Sequence, residues 1–231
     1  MLVVGSLTSI ALEHSNPSPA AAYAVTPVAI QTIIPTPTGS NTPGKTSTGA
    51  GIPLAKVIFL TFDDGPDPVW TPKILKILAK YGAKATFFEL GQRIQAHPGL
   101  RKQVLAGGHT IGNHSISHPR LTKVSAARRH HEIFDGPKSR CFRPPYGASN
   151  PKVRADIKAA GMTQVLWNVD PRDWARPGTS AIVQNILNHA RHRNIVLMHD
   201  GGGDRSQTVA ALAKVLPTLK ARGYSFRALG C

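Results

Sequence analysis

Two carboxylates stand side by side at Asp63 and Asp64, inside Thr61-Phe62-Asp63-Asp64-Gly65-Pro66. Adjacent like charges repel unless a cation or a proton separates their roles, so the pair reads as one metal ligand and one base. His114 and His118 are four residues apart. On one helical turn they would point the same way and grip one ion, and with Asp64 they make a two-histidine, one-carboxylate set with open positions. Arg143, followed by Pro144 and Pro145, puts a permanent cation on a stiff backbone, which suits a group that holds a carboxylate in one geometry. His199 could serve as a general acid, with Asp173 as the carboxylate that raises its pKa and fixes its ring. Taken singly, each residue has a plainer reading. Asp-Gly after a strand is common turn chemistry, and a lone histidine or arginine is more often a core residue or an ion-pair partner.

What favours chemistry is the placement these residues would share. The apolar run 57–60 predicts a buried strand that delivers Asp63 and Asp64 at its C-terminal end, where Gly65-Pro66 forces a turn. From residue 55 onward strand-like and helix-like segments alternate. Thr71-Pro72 is expected to cap a helix carrying Ile74, Leu75, Ile77 and Leu78 and ending at Gly82, followed by a strand over 84–88. Helices are expected over 98–106 and 124–133, and another begins at Asn150-Pro151 and stops at Gly161. Strands are expected over 163–169, 194–198 and 224–229, with a helix opened by Thr179 and a last helix over 206–221 bent at Pro217. About seven such units predict an α/β fold, a parallel sheet closed or nearly closed into a barrel, with an open doubly wound sheet as the alternative. Candidate residues that follow successive strands then gather at one end, where strand-helix folds place their sites.

The 231 residues suffice for one domain of ordinary size plus a tail. The apolar start and Ala22-Tyr23-Ala24 fit an export signal over 1–24, although a basic leading segment is missing. Residues 25–54, rich in Pro, Thr, Ser and Gly, read as a linker, and 55–231 as the folded domain. No apolar stretch is long enough to span a bilayer. The net charge of +16 falls almost wholly on the folded part, since Glu13 and Lys45 are the only charged side chains before Ala55. Such a surface attracts nucleic acid, anionic lipid or an acidic cell-wall polymer; no nucleic-acid motif with interleaved aromatics is present. Cys141 and Cys231 are too far apart for a Cys-x-x-Cys pair, so a metal must come from histidines and carboxylates. In an exported protein the two could form a disulfide; two unpaired buried thiols are the alternative.

Residues from about 56 to 229 resemble the polysaccharide deacetylases of carbohydrate esterase family four, the NodB-homology domain. Five motif regions of that family occur in order: 61–66, His114 with His118, 143–146, 170–174, and Leu197 with His199. The resemblance implies a distorted (β/α) barrel, a single divalent ion, most often zinc with cobalt or another ion as alternatives, and substrates that are N-acetylated glycans or acetylated xylan. It implies that Asp64, His114 and His118 bind the ion, that Asp63 is the base held by Arg143, and that Asp173 tunes the acid His199. It further implies that the Tyr146 amide helps bind the oxyanion and that Trp174 and Leu197 wall the acetyl pocket. Residues 121–142 are shorter than in most relatives, with Asp135-Gly136-Pro137 where helix usually continues, and a short loop with an intact site is expected there. The expected protein is a secreted, monomeric deacetylase of peptidoglycan or chitin-type glycan. Two other classes share its ligands: a glycan-binding protein without turnover, and an iron oxygenase. The oxygenase leaves Asp63, Arg143 and His199 without a task.

Overall fold

Ile58, Leu60 and Phe62 lie fully buried along strand β1 (Lys56–Asp63), which is covered on both faces and is therefore apolar almost throughout. A computed structural model describes residues 56–231; the leader and linker expected over 1–24 and 25–54 lie outside the described residues. Strand β1 pairs in parallel with β2 (Ala85–Glu89), β6 (Ile195–His199) and, over its first residues, β7 (Tyr224–Phe226). Beyond β2 the sheet continues through β3 (Thr110–Asn113), β4 (Cys141–Phe142) and β5 (Thr163–Gln164), all parallel. Parallel neighbours need long crossovers, and seven helices supply them: α1 (Trp70–Lys80), α2 (Gly91–Ala96), α3 (Pro98–Ala106), α4 (Ala126–Phe134), α5 (Pro151–Ala159), α6 (Thr179–His189) and α7 (Ser206–Ala221). Every strand therefore ends on the same side of the sheet.

The main core lies between the sheet and the apolar stripes of Ile74 and Leu78 on α1, Ile182 and Ile186 on α6, and Leu212, Val215, Leu216 and Leu219 on α7. Each such side chain contributes about 1.5–3 kcal/mol on burial. A smaller cluster of Leu121, Ile133, Phe142, Val153, Ile157 and Met162 packs beneath β4. It braces the short 121–142 segment, in which Ser125 caps α4 by accepting from the Arg128 N–H. A loop of a few residues after α4 leads into β4, as expected.

The sheet is a curled half-barrel, the distorted form of the barrel expected. Its open side is spanned by residues 165–169. The Val165 N–H bonds to Phe142, and at the far end Val169 bridges Val196, with Leu197 N–H to Val169 carbonyl at 2.9 Å. The strand expected over 163–169 is confined to Thr163–Gln164 because the Val165 and Leu166 carbonyls turn to the Arg143 guanidinium at 3.3 and 3.2 Å instead of to a strand. Thr71 does not cap α1 as expected. Val69 holds that position, and the Thr71 hydroxyl donates to the buried Asp200 carboxylate at 2.6 Å. Cys141 and Cys231 form a disulfide that ties the C-terminus to β4, two residues before Arg143.

Candidate active site

Strand register brings three of the candidate residues, with Thr61, onto one face. Thr61 lies opposite Leu197 and Asp63 opposite His199, so side-chain alternation turns all four toward the inside of the curl. Asp64 then takes a left-handed backbone conformation, φ 75°, which turns its carboxylate away from that of Asp63. The turn has no room for side chains. A Cβ on Gly65 would collide with the Asp200 carboxylate, and one on Gly201 with the Asp64 carbonyl. Asp200, fully buried, donates its N–H to the Asp63 carbonyl at 3.0 Å. Burial, reinforced by the charges of Asp64 and Asp63, pushes its carboxyl up to about 7 despite the Thr71 hydrogen bond.

The second turn comes from the loop after β3. His114 and His118 are not on a helix. Strand β3 ends at Asn113, whose side chain accepts from the Ser115 N–H at 2.8 Å, and Ser115 and His118 are both left-handed, at φ 74° and 62°. That loop, not helical spacing, converges the rings. His114 Nε2 and His118 Nε2 lie 3.5 and 3.3 Å from Asp64 Oδ1. Glu132, reaching in from α4, clamps the loop by accepting from the Ile116 and Ser117 N–H groups, each at 2.9 Å, and from the Ser117 hydroxyl.

These three ligand atoms suit a divalent cation. Asp64 Oδ1 is buried with no hydrogen-bond donor. His114 Nδ1 is 2.7 Å from the Arg143 carbonyl and must donate its proton there, leaving the Nε2 lone pair for an ion. Burial holds His118 below its ordinary pKa in spite of Asp64, so its ring is neutral and able to ligate. Burial pushes Asp64 up, but the imidazoles that face it, His114 foremost with His199 and His118 behind, carry it well below the usual carboxylate range.

Asp63 sits beside the cluster, its Oδ2 3.7 Å from His114 Nε2, with its other oxygen held by Arg143. The guanidinium is fully buried, donates to Asp63 Oδ1 at 2.7 Å and to the Thr61 hydroxyl at 2.8 Å, and lies 4.1 Å over the Phe88 ring. Gly112 makes room for that ring, since a Cβ there would collide with it. Across the curl, Asp173 Oδ1 is 2.7 Å from His199 Nδ1, while Oδ2 accepts from the His199 N–H and from the Thr208 hydroxyl. Burial would lower the His199 pKa; the Asp173 bond and charge, followed by Asp63 and Asp64, raise it to about 8. The imidazolium is therefore the form favoured at neutral pH, and its remaining nitrogen is the one able to give up a proton.

Tyr146 and Trp174 stand at the rim, 59% and 48% exposed, while Leu197 is buried in β6. Tyr146 sets its ring edge-on to His118, 4.5 Å between centroids, and is itself left-handed at φ 61°. Left-handed residues without the freedom of glycine therefore line the site at Asp64, Ser115, His118, Tyr146 and Arg172. Strain of roughly 1 kcal/mol or more each is tolerated where a site demands the geometry. All ten residues singled out in the sequence are placed around this one region. Thr61, Asp200, Glu132 and Thr208 were not singled out. Only Thr61, two positions before Asp63 in the same strand, carried a local signal of shared facing.

A carboxylate held by a buried arginine, a charged imidazole held by a second carboxylate and a three-residue set able to hold an ion thus meet at the strand ends of a curled parallel sheet. The family model "Polysaccharide deacetylase" matches residues 51–165. A peptidoglycan-N-acetylglucosamine deacetylase of Bacillus cereus is 50% identical over 181 residues, 74% of this chain and 85% of the relative. A chitooligosaccharide deacetylase of Sinorhizobium fredii is 37% identical, over 78% and 92%. The solved peptidoglycan deacetylase of Bacillus subtilis superposes with a TM-score of 0.70 at 36% identity, over 78% of this chain and 90% of that one. The chain belongs to the polysaccharide deacetylase family, and its enzyme class is polysaccharide deacetylase.

Proposed function

We propose that the protein is a metal-dependent N-deacetylase of peptidoglycan, releasing acetate from N-acetylglucosamine residues. The single observation that carries the metal dependence is the buried, donor-less Asp64 Oδ1 facing two imidazole nitrogens, with His114 held in the tautomer that leaves Nε2 open. Asp64, His114 and His118 would hold a divalent cation, which would supply Lewis acidity for water and the acetyl carbonyl. Zinc suits this nitrogen and oxygen set best, and cobalt would also fit it. Asp63 takes the proton of the attacking water, held in place by Arg143, which is itself steadied by the Thr61 hydroxyl. The Tyr146 amide helps bind the oxyanion, and Trp174 and Leu197 wall the acetyl group. His199, charged through Asp173, gives its proton to the departing sugar nitrogen, so amine and acetate leave.

The preference for peptidoglycan over chitin-type glycan rests on the identity to the Bacillus cereus relative, and the basic surface favours an anionic wall environment. The Cys141–Cys231 disulfide supports export, because such bonds persist in oxidising compartments. Acetate release from an N-acetylglucosamine polymer tests the reading. It should cease after chelation and return on adding zinc or cobalt, and full turnover by chelated, metal-free protein would overturn it.

A further inference from the structure

Two arginines stand at the mouth of the site with no role in the chemistry. The Arg120 guanidinium lies 4.7 Å over the Tyr146 ring, and Tyr146 touches His118. On the other side Arg172 lies 5.2 Å over Trp174, next in the chain to Asp173, which holds His199. Both arginines are exposed, and neither makes an ion pair among the described residues, whereas nearby Arg176 pairs with Asp204 at 2.9 Å. Asp170, whose Oδ1 accepts the Arg172 N–H at 2.8 Å, feels the Arg172 charge without forming a side-chain ion pair with it.

We infer that Arg120 and Arg172 read carboxylates on the sugars flanking the reacting N-acetylglucosamine. This rests on the deacetylase reading and names its substrate class. A guanidinium stacked on a ring is pre-oriented, with its forked edge left for a carboxylate. In a chitin-type chain the flanking sugars are neutral. In peptidoglycan each is a muramyl residue, carrying a free lactyl carboxylate or a stem peptide with carboxylates of its own. One arginine on each side of the reacting residues matches that alternation.

The test compares kcat/KM, at low ionic strength, on chitotetraose, on an N-acetylglucosaminyl-muramyl tetrasaccharide with free lactyl carboxylates, on its methyl ester, and on the peptide-bearing form. The wild type should favour the free acid over the ester, and Arg120→Gln and Arg172→Gln should each erase about fivefold of that preference, the scale of an exposed charge pair. Chitotetraose turnover should change less than about twofold, and Arg→Lys at either position should lose most of the preference, because an ammonium has no planar fork to stack on the ring and meet a carboxylate. A preference confined to the peptide-bearing glycan and lost in the double variant would also support the proposal, with the stem peptide as the source. A wild type indifferent to esterification and to the peptide, or a preference that survives in the double variant, would overturn it. No turnover of any substrate, chitotetraose included, would instead refute the deacetylase reading itself.

Discussion

Asp173→Asn keeps the shape of the side chain and removes the charge that raises the His199 pKa. In the native protein burial works against the imidazolium, and the Asp173 bond and charge, aided by Asp63 and Asp64, still lift its pKa from 6.5 to about 8. That difference is worth about 2 kcal/mol. Without the Asp173 charge the burial effect is left less opposed, so His199 should titrate below 6.5. At about pH 7.5 a group of pKa 8 is roughly three-quarters protonated and one of pKa 6.5 roughly one-tenth, so kcat/KM should fall at least about eightfold. The asparagine amide can also present N–H to Nδ1 and impose the wrong tautomer, which deepens the loss. Ring-nitrogen NMR of the metal-free protein follows His199 directly, and a pH profile of kcat/KM follows its role. A variant whose His199 still titrates near 8, or whose activity at pH 7.5 is unchanged, would refute the reasoning.

Arg143→Lys places one ammonium where a planar fork now serves Asp63, Thr61 and two carbonyls. It should lower kcat by about a hundredfold while zinc affinity by calorimetry stays within a few-fold. Glu132→Gln weakens the clamp on the His118 loop and should reduce zinc affinity by about 10- to 100-fold, measured by competition with a chelator. Glu89→Gln should stabilise the protein at alkaline pH. Glu89 is buried with both carboxylate oxygens unpartnered, and burial, with Asp200, raises its pKa from 4.5 to about 8. Its raised folded pKa means that native stability is undiminished below 4.5 and is lost as pH climbs to 8. The variant should therefore gain roughly 2–5 kcal/mol over wild type at pH 8 and almost nothing near pH 4.5, read from urea midpoints.

Elements with strong local signals were legible in the sequence. Helix α3 and helix α7, with Pro217 inside it, have the bounds expected, and Asn150 caps α5 by accepting from the Val153 N–H. Strand β1 was legible as an apolar run because it is covered on both faces. Strand β4 is two residues long and exists through its neighbours, so periodicity could not reveal it, whereas β5 was expected at too great a length, over 163–169. Helical spacing put His114 and His118 together for the wrong reason: the positive φ of Ser115 and His118 folds that loop. The motif residues were legible because their types carry chemistry, whereas their supports lie far off in sequence. Thr71 meets Asp200 across 129 positions and Thr208 meets Asp173 across 35. Buried polar partners at such separations leave no pattern in the local chain.

The division of labour between the adjacent aspartates is tested most directly by measuring bound zinc and acetate release together in Asp63→Asn and Asp64→Asn. Asp63→Asn should bind close to one equivalent of zinc and release no acetate, while Asp64→Asn should lose both. Substantial turnover by Asp63→Asn, or full zinc occupancy in Asp64→Asn, would contradict the account.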